Sequence, residues 1–333
     1  MSTTSGRAVA EARTNIALVK YWGKRGGTLN LPAVGSLSLT LEGLSTRTEV
    51  RFDPSLTSDS LELNGAAELG LPRDKVSKFL DLVRGLGGGK QFAAVSSANN
   101  FPTAAGLASS ASAFAALALA ATKAAGLSVD GRALSILARQ GSGSAARSLF
   151  GGFVRMHRGE LADGTDSFAE PMTVRSAEDM NVRMVLGITK KGPKETLSTD
   201  GMRHTAETSP YFAAWVATSE PDLADATAAI ARNDLEALGV VTERSALTMH
   251  ASALAARPAV LYFAGATIEG YRAIVAMRKT GIPAWFTCDA GPHVKALTDA
   301  ANADEVARRL AEVPGVIESR VCKPGQAAEV LEA

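Results

Sequence analysis

Residues 36–42 set the first clear rhythm in the chain. Leu37, Leu39 and Leu41 alternate with Ser38, Thr40 and Glu42, and that period of two predicts a half-buried strand. Residues 47–52 (RTEVRF) alternate too, and 61–65 (LELNG) read as a strand running into a turn. Upstream, 14–20 (TNIALVK) is apolar and partly β-branched. It reads as a strand delivering Lys20, Tyr21, Trp22 and Lys24 to its far end, before a turn at Gly26 and Gly27. The rhythm changes at 74–83, where Val76, Phe79, Leu80 and Val83 recur at helical spacing and predict an amphipathic helix. A turn over 85–90 and a strand over 91–97 lead to an Asn/Pro turn that opens an Ala-rich helix. Residues 131–140 look helical, and 151–174 resemble a hairpin around Asp163-Gly164. Residues 181–189 read as a buried strand, and 190–198 as a basic loop ending in hydroxyls. Helices are predicted over 211–217, 222–232, 234–248 and 267–279. A short strand over 283–288, a helix over 303–312 and a strand over 316–321 complete a second domain of mixed α+β character. A boundary at 176–179 divides the chain into 1–178 and 179–333.

Composition narrows the partners. At 333 residues the chain can form one large or two medium domains with a substantial core. Hydrophobic residues at 46% and charged residues at 21% argue against disorder. A formal net charge of +1 supplies no global field for nucleic acid or an anionic membrane, so phosphate recognition must be local. Cys288 and Cys322 are too few for a disulfide framework, and a reduced, cytoplasmic setting fits. Residues 1–15 hold no signal-like apolar run. The apolar region after Gly106 is Ala-rich and interrupted by Ser, Thr and Lys, as in a buried helix.

The stretch 99–117 (NNFPTAAGLASSASAFAAL) carries the first candidate chemistry. The opening amides of a helix lack internal partners, and small residues let an anion approach them closely. Ser109 and Ser110 add hydroxyls, so the stretch is either a phosphate cradle or a buried helix capped by serine. Residues 85–90 (GLGGGK) are not a Walker loop, because Arg84 and Gln91 stand where Gly and Ser or Thr are required. Residues 141–146 (GSGSAA) fit a loose dinucleotide pattern but follow a helix, not a strand, so that reading fails on context. Arg147 behind them is either an anion ligand or a solvated arginine. Asp289, where a strand gives way to a Gly-Pro turn, faces a cleft or bonds its own turn. The four histidines lack metal-ligand spacing, and LASSA is no hydrolase elbow.

Three separated runs, 15–30 (NIALVKYWGKRGGTLN), 99–112 (NNFPTAAGLASSAS) and 141–152 (GSGSAARSLFGG), share one resemblance, with shorter matches at 198–202 (STDGM) and 289–295 (DAGPHVK). In this order they resemble the diphosphomevalonate decarboxylases of the GHMP kinase superfamily. The resemblance implies ATP-dependent decarboxylation of mevalonate 5-diphosphate to isopentenyl diphosphate, through phosphorylation of its tertiary hydroxyl. It places Asp289 against that hydroxyl as base or orienting group, and Arg147 on the substrate carboxylate beside Ser142, Gly143 and Ser144. Asn15 and Lys20 match positions near the reacting end, and Tyr21, Lys24 and Ser198 match positions holding the diphosphate. Ala105, Gly106, Leu107, Ala108, Ser109 and Ser110 match contacts to the ATP phosphates. Mg²⁺ is expected with ATP, its ligands unidentified. Val34-Gly35-Ser36 and His293 depart from the common family pattern.

The resemblance further implies an α+β, two-domain GHMP kinase-like fold. Its N-terminal domain would carry a left-handed βαβ unit, its C-terminal domain would be a ferredoxin-like α/β sandwich, and the active site would lie in the cleft between them. A homodimer is usual for the family. Rival readings are a related enzyme acting on mevalonate, its 5-monophosphate or its 3,5-bisphosphate, and a silent ligand-binding regulator.

Overall fold

The computed structural model describes residues 6–101, 109–189 and 196–333. The expectations placed on Ala105, Gly106, Leu107 and Ala108, and on the loop 190–195, lie outside the described residues. In chain order the elements are β1 (Arg7–Val19), β2 (Ser36–Asp53), β3 (Ser60–Leu63), β4 (Ala66–Glu68), α1 (Leu71–Val83), β5 (Phe92–Asn99), α2 (Ser109–Ala124) and α3 (Gly131–Gly141). There follow β6 (Phe153–Met156), β7 (Ala169–Pro171), β8 (Val182–Ile188), α4 (Ser198–Thr208), α5 (Phe212–Ala231), α6 (Leu235–Leu254) and α7 (Gly265–Lys279). The chain ends with β9 (Ala284–Thr287), β10 (Val294–Asp299), α8 (Ala303–Ala311), β11 (Glu318–Cys322) and β12 (Glu329–Glu332).

Two sheets organise these elements. The first runs β12-β1-β2-β5-β3-β4, with β6 on the front half of β2 and β7 beyond it; the second is antiparallel, β11-β8-β10-β9. The alanines of α2 lie on Ala8, Ala10, Ala12, Val50 and Phe52, forming one core. Small residues on both surfaces let helix and sheet approach closely. A second core joins the sheets, with Leu37, Leu39 and Leu41 packed among residues such as Met184, Leu186, Leu223 and Ala226. The hairpin predicted over 151–174 forms as β6 and β7.

Several expectations change. The strand over 36–42 is buried on both faces, not one, because Ser38 and Thr40 are fully enclosed. Thr40 stays satisfied by donating to the Phe150 carbonyl at 2.7 Å. The two helices expected over 211–217 and 222–232 are one, α5, which continues through Pro221. The proline removes one amide donor, but α5 is held from outside. Buried Asp222 pairs with Arg244 of α6 at 2.6 Å. The 198–208 segment is a helix, α4, and β10 fills the gap left between residue 289 and the last helix. The chain does not finish in the second sheet. From Cys322 it crosses back, bridging Leu41 at Pro324, and β12 pairs with β1.

Candidate active site

β1 pairs with β2 out of simple register between Arg13 and Asn15 and again between Ala17 and Val19. Such irregularities re-aim side chains, and they flank Asn15 and precede Lys20, both almost fully buried. Lys20, 1% exposed, donates from Nζ to Asp289 Oδ1 at 2.7 Å and to the Ala17 carbonyl at 2.9 Å. Asp289 sits in the turn between β9 and β10. Its other oxygen lies 3.0 Å from Nζ of Lys295, which β10 carries into the core at 0% exposure. Burial pushes the Asp289 carboxyl upward, but the two ammonium groups outweigh it and hold the carboxyl well below the usual range. Burial pushes Lys20 downward against the pull of Asp289.

A second cluster adjoins the first. Arg147 stands in a 3₁₀ turn, Arg147–Leu149, and is 2% exposed. Its Nη1 donates to Ser36 Oγ at 2.9 Å, its Nε to Asn15 Oδ1 at 3.3 Å, and the Tyr21 ring lies 5.7 Å away. Asn15 is fixed in turn by donating to Ser148 Oγ at 2.8 Å and to the Ser144 carbonyl at 3.1 Å. Ser142 and Ser144 hydroxyls lie 3.2 Å apart. The hydrogen-bond partners of Arg147 among the described residues are thus neutral, and burial lowers its pKa to about 10. A buried guanidinium in that state favours an incoming carboxylate or phosphate.

Tyr21 and Gly143 meet closely: a Cβ on Gly143 would run into the Tyr21 hydroxyl. That hydroxyl is buried and has no hydrogen-bond partner among the described residues, and burial pushes the phenol up to about 12, so it remains a donor. Lys24 donates to Asn30 at 2.7 Å and reaches Thr199 at 3.4 Å, beside Ser198 at the first turn of α4. An ammonium beside a helix N-terminus suits an anion, by its charge and by the helix dipole. Ser109 and Ser110 open α2, whose buried face shares a core with Ala145 and Leu149 on either side of Arg147.

Asn15, Tyr21, Ser142, Gly143, Ser144 and Arg147 therefore form one connected group, and Lys20 and Asp289 form the heart of a second. Sequence reasoning missed Lys295, Ser36 and Ser148. Lys295 left a signal, a lone lysine inside the apolar run 294–297, a pattern that calls for a buried counter-charge. Three cations, Lys20, Lys295 and Arg147, face one carboxylate, so the site carries local positive charge despite the nearly neutral chain. It can hold a polyanionic ligand with a hydroxyl against Asp289.

Comparison with known proteins agrees with this chemistry. The family model described as diphosphomevalonate decarboxylase-like N-terminal domain matches residues 12–169, and that of the mevalonate 5-diphosphate decarboxylase C-terminal domain matches 184–326. A diphosphomevalonate decarboxylase of Ganoderma lucidum is 38% identical over 324 residues, covering 90% of this chain and 80% of the relative. The mevalonate diphosphate decarboxylase structure from Staphylococcus aureus superposes with a TM-score of 0.94 at 38% identity, covering 99% of each chain. A structure described as MDDEF in complex with MVAPP, AMPPCP and magnesium gives 0.92 at 39% identity, covering 99% of this chain and 100% of that one.

Proposed function

The chain belongs to the diphosphomevalonate decarboxylase family, and from that premise we propose how its buried clusters divide the reaction. The enzyme decarboxylates mevalonate 5-diphosphate to isopentenyl diphosphate, with ATP as co-substrate and Mg²⁺ accompanying it. The observation that carries the assignment of roles is the Lys20–Asp289–Lys295 cluster beside an Arg147 held by neutral partners.

Asp289 accepts a hydrogen bond from the tertiary hydroxyl and aims its lone pair at the γ-phosphorus. A carboxylate held so far below its usual range is a weak base, so it orients first and takes the proton late. A loose phosphoryl transfer, in which bond formation to the nucleophile lags, tolerates that order. Lys20 offsets charge on the transferred group. Arg147 grips the substrate carboxylate with its planar fork, Asn15 and Ser36 fix the fork, and Ser142, Gly143 and Ser144 line the same end. With the C–C bond aligned against the departing phosphate, its electron pair forms the new double bond as CO₂ leaves. Tyr21, Lys24 and Ser198 hold the diphosphate. Ala105 to Ala108, with Ser109 and Ser110, hold the ATP phosphates. Among the described residues no group of three His, Cys, Asp or Glu could hold a metal ion. Ser109 and Ser110 would hold the Mg²⁺ that accompanies ATP, and the ion would supply charge neutralisation on the phosphates.

We divide the chain at 178/179, with the last segment rejoining the first sheet, and infer a homodimer in the cytoplasm. The dimer rests on the family resemblance. The compartment rests on two buried free cysteines and on a chain in which, among the described residues, no helix is long and apolar enough to cross a membrane. Light scattering of the purified protein tests the dimer, and a monomer mass would remove it.

Activity is tested by incubating the protein with ATP and, separately, mevalonate, its 5-monophosphate, its 3,5-bisphosphate and its 5-diphosphate, following CO₂ and ADP. Both products should appear from the diphosphate; CO₂ from the monophosphate alone would overturn the substrate. Asp289→Asn should bind substrate yet lose about 10²–10⁴-fold in kcat. Near-normal turnover would remove Asp289 from the chemistry.

A further inference from the structure

The Lys20–Asp289 contact joins residues 269 positions apart in sequence, one at the end of β1 and one in the β9–β10 turn. Both segments are tied to the same helix. On α6 the hydroxyl of Ser245, fully buried, accepts the backbone N–H of Lys20 at 3.0 Å. Further along that helix His250, 2% exposed, lies 3.2 Å from the carbonyl of Cys288, the residue before Asp289. A carbonyl only accepts, so Nε2 of His250 carries the proton. Burial first, then the nearby Lys20 ammonium, lower its pKa to about 3, so the ring is neutral and adds no further cation to the cluster. Phe263 and Tyr262 hold the ring, with centroids 4.3 Å and 6.2 Å away. α6 lies close on β9 because Gly239 faces the Trp285 ring, which a Cβ would strike.

We propose that Ser245 and His250 are positioning residues for the decarboxylation: one rigid helix spaces the Lys20 amide from the Cys288 carbonyl and so sets the contact between the Lys20 ammonium and the Asp289 carboxylate. The proposal rests on the reading of Lys20 and Asp289 as catalytic. Neither Ser245 nor His250 touches the reacting atoms. They act through geometry, and a misplacement of about 1 Å at a reacting centre costs on the order of 10²-fold.

The test uses four variants of the full chain. Ser245→Ala and His250→Leu each remove one tie, and His250→Gln keeps a side-chain donor. Thr242→Val alters a buried hydroxyl of the same helix that has no hydrogen-bond partner among the described residues. The readouts are kcat, KM for mevalonate 5-diphosphate, and the acid limb of the kcat–pH profile. Asp289 is faced by Lys20 and Lys295 in contact, and by Arg147, His293, Cys288 and His250 at longer range. Loosening Lys20 removes the leading pull on the carboxyl, so the acid limb moves up in pH. Ser245→Ala and His250→Leu should lose about tenfold or more in kcat with little change in KM and an upward-shifted acid limb. His250→Gln should recover most of the rate, and Thr242→Val should match the parent enzyme. An unmoved acid limb, an equal loss in Thr242→Val, or no recovery in His250→Gln would overturn the proposal. Asp289→Asn is assayed in parallel. If it retains turnover, the catalytic reading itself falls; if it loses turnover while Ser245→Ala and His250→Leu keep theirs, only the positioning role falls.

Discussion

The guanidinium of Arg147 is a buried charge whose hydrogen-bond partners among the described residues are a hydroxyl and an amide oxygen. Desolvating such a charge without an anion is costly to the unliganded fold, and replacing it with an apolar residue of similar length relieves that cost. Arg147→Met is therefore expected to raise the melting temperature of the free enzyme, by the equivalent of about 1 kcal/mol or more, while abolishing decarboxylation. A lower melting temperature would show that Arg147 is structural. Arg147→Lys keeps the charge but loses the fork, and kcat should fall about 10²-fold with ATP binding retained. The residues proposed for this chemistry are unevenly legible in the sequence. Asp289 and Arg147 stood out through turn and small-residue context, whereas Ser36 looked only like a departure from the family pattern. Its role as an acceptor for Arg147 depends on a contact across 111 positions, which no local pattern encodes.

β1 shows what an element contributes beyond its residues. A regular strand would alternate its side chains between two faces. Its two register irregularities instead bring Asn15 to the Arg147 turn and Lys20 to Asp289. The strand was predicted from its apolar run but begins at Arg7, earlier than that run, because pairing with β2 extends it. The alternation over 36–42 predicts a half-buried strand, and the strand forms but is enclosed on both faces; a period of two reports pleating, and whether the polar face meets water depends on what is packed against it. The break expected between 217 and 222 is absent for the opposite reason, since the helix runs through Pro221, a local breaker overruled by tertiary contact with α6. The 141–147 segment gives a direct test. Gly143→Ala places a methyl against the Tyr21 hydroxyl and should raise KM for the diphosphate substrate by about tenfold, with a smaller effect on kcat. An unchanged KM would separate Tyr21 from diphosphate binding.

Across the whole molecule the returning tail connects distant parts. Gly152 donates to the Gly325 carbonyl and Ala328 to that of Leu149, so residues 325–328 brace the turn that bears Arg147. β12 also covers the edge of β1, with Arg7 paired to Glu332 at 2.8 Å. Deleting 323–333 exposes that edge and removes the brace. It is expected to lower both the melting temperature and kcat and to promote aggregation, read by calorimetry, turnover and light scattering. Acid stability follows from two buried histidines. Burial, with the nearby ammonium groups, lowers His250 to about 3 and His293 to about 4, against about 6.5 unfolded. Below about pH 6.5 the unfolded chain binds protons that the folded chain refuses. The stabilisation is therefore whole above that pH and is lost as pH falls toward 4, with a slope approaching about 1.4 kcal/mol per pH unit for each histidine. Urea midpoints from pH 7 to 4 should decline accordingly, less steeply in His250→Gln. Equal slopes would remove His250 from the balance.

The sequence by itself determined most element types, the class of fold, and the order of motifs that places the chain in its family. Periodicity, turn residues and small-residue runs are local properties, and they act over a few neighbouring positions. Tertiary structure alone decided which charges meet. Lys20, Asp289 and Lys295 come from the ends and interior of three strands in two sheets, and their mutual distances are set by a shared helix and a shared core. Coulombic attraction falls with distance and grows with burial. The chemistry of Asp289 is thus a property of the assembled fold, and the residue's name and neighbours in sequence do not carry it.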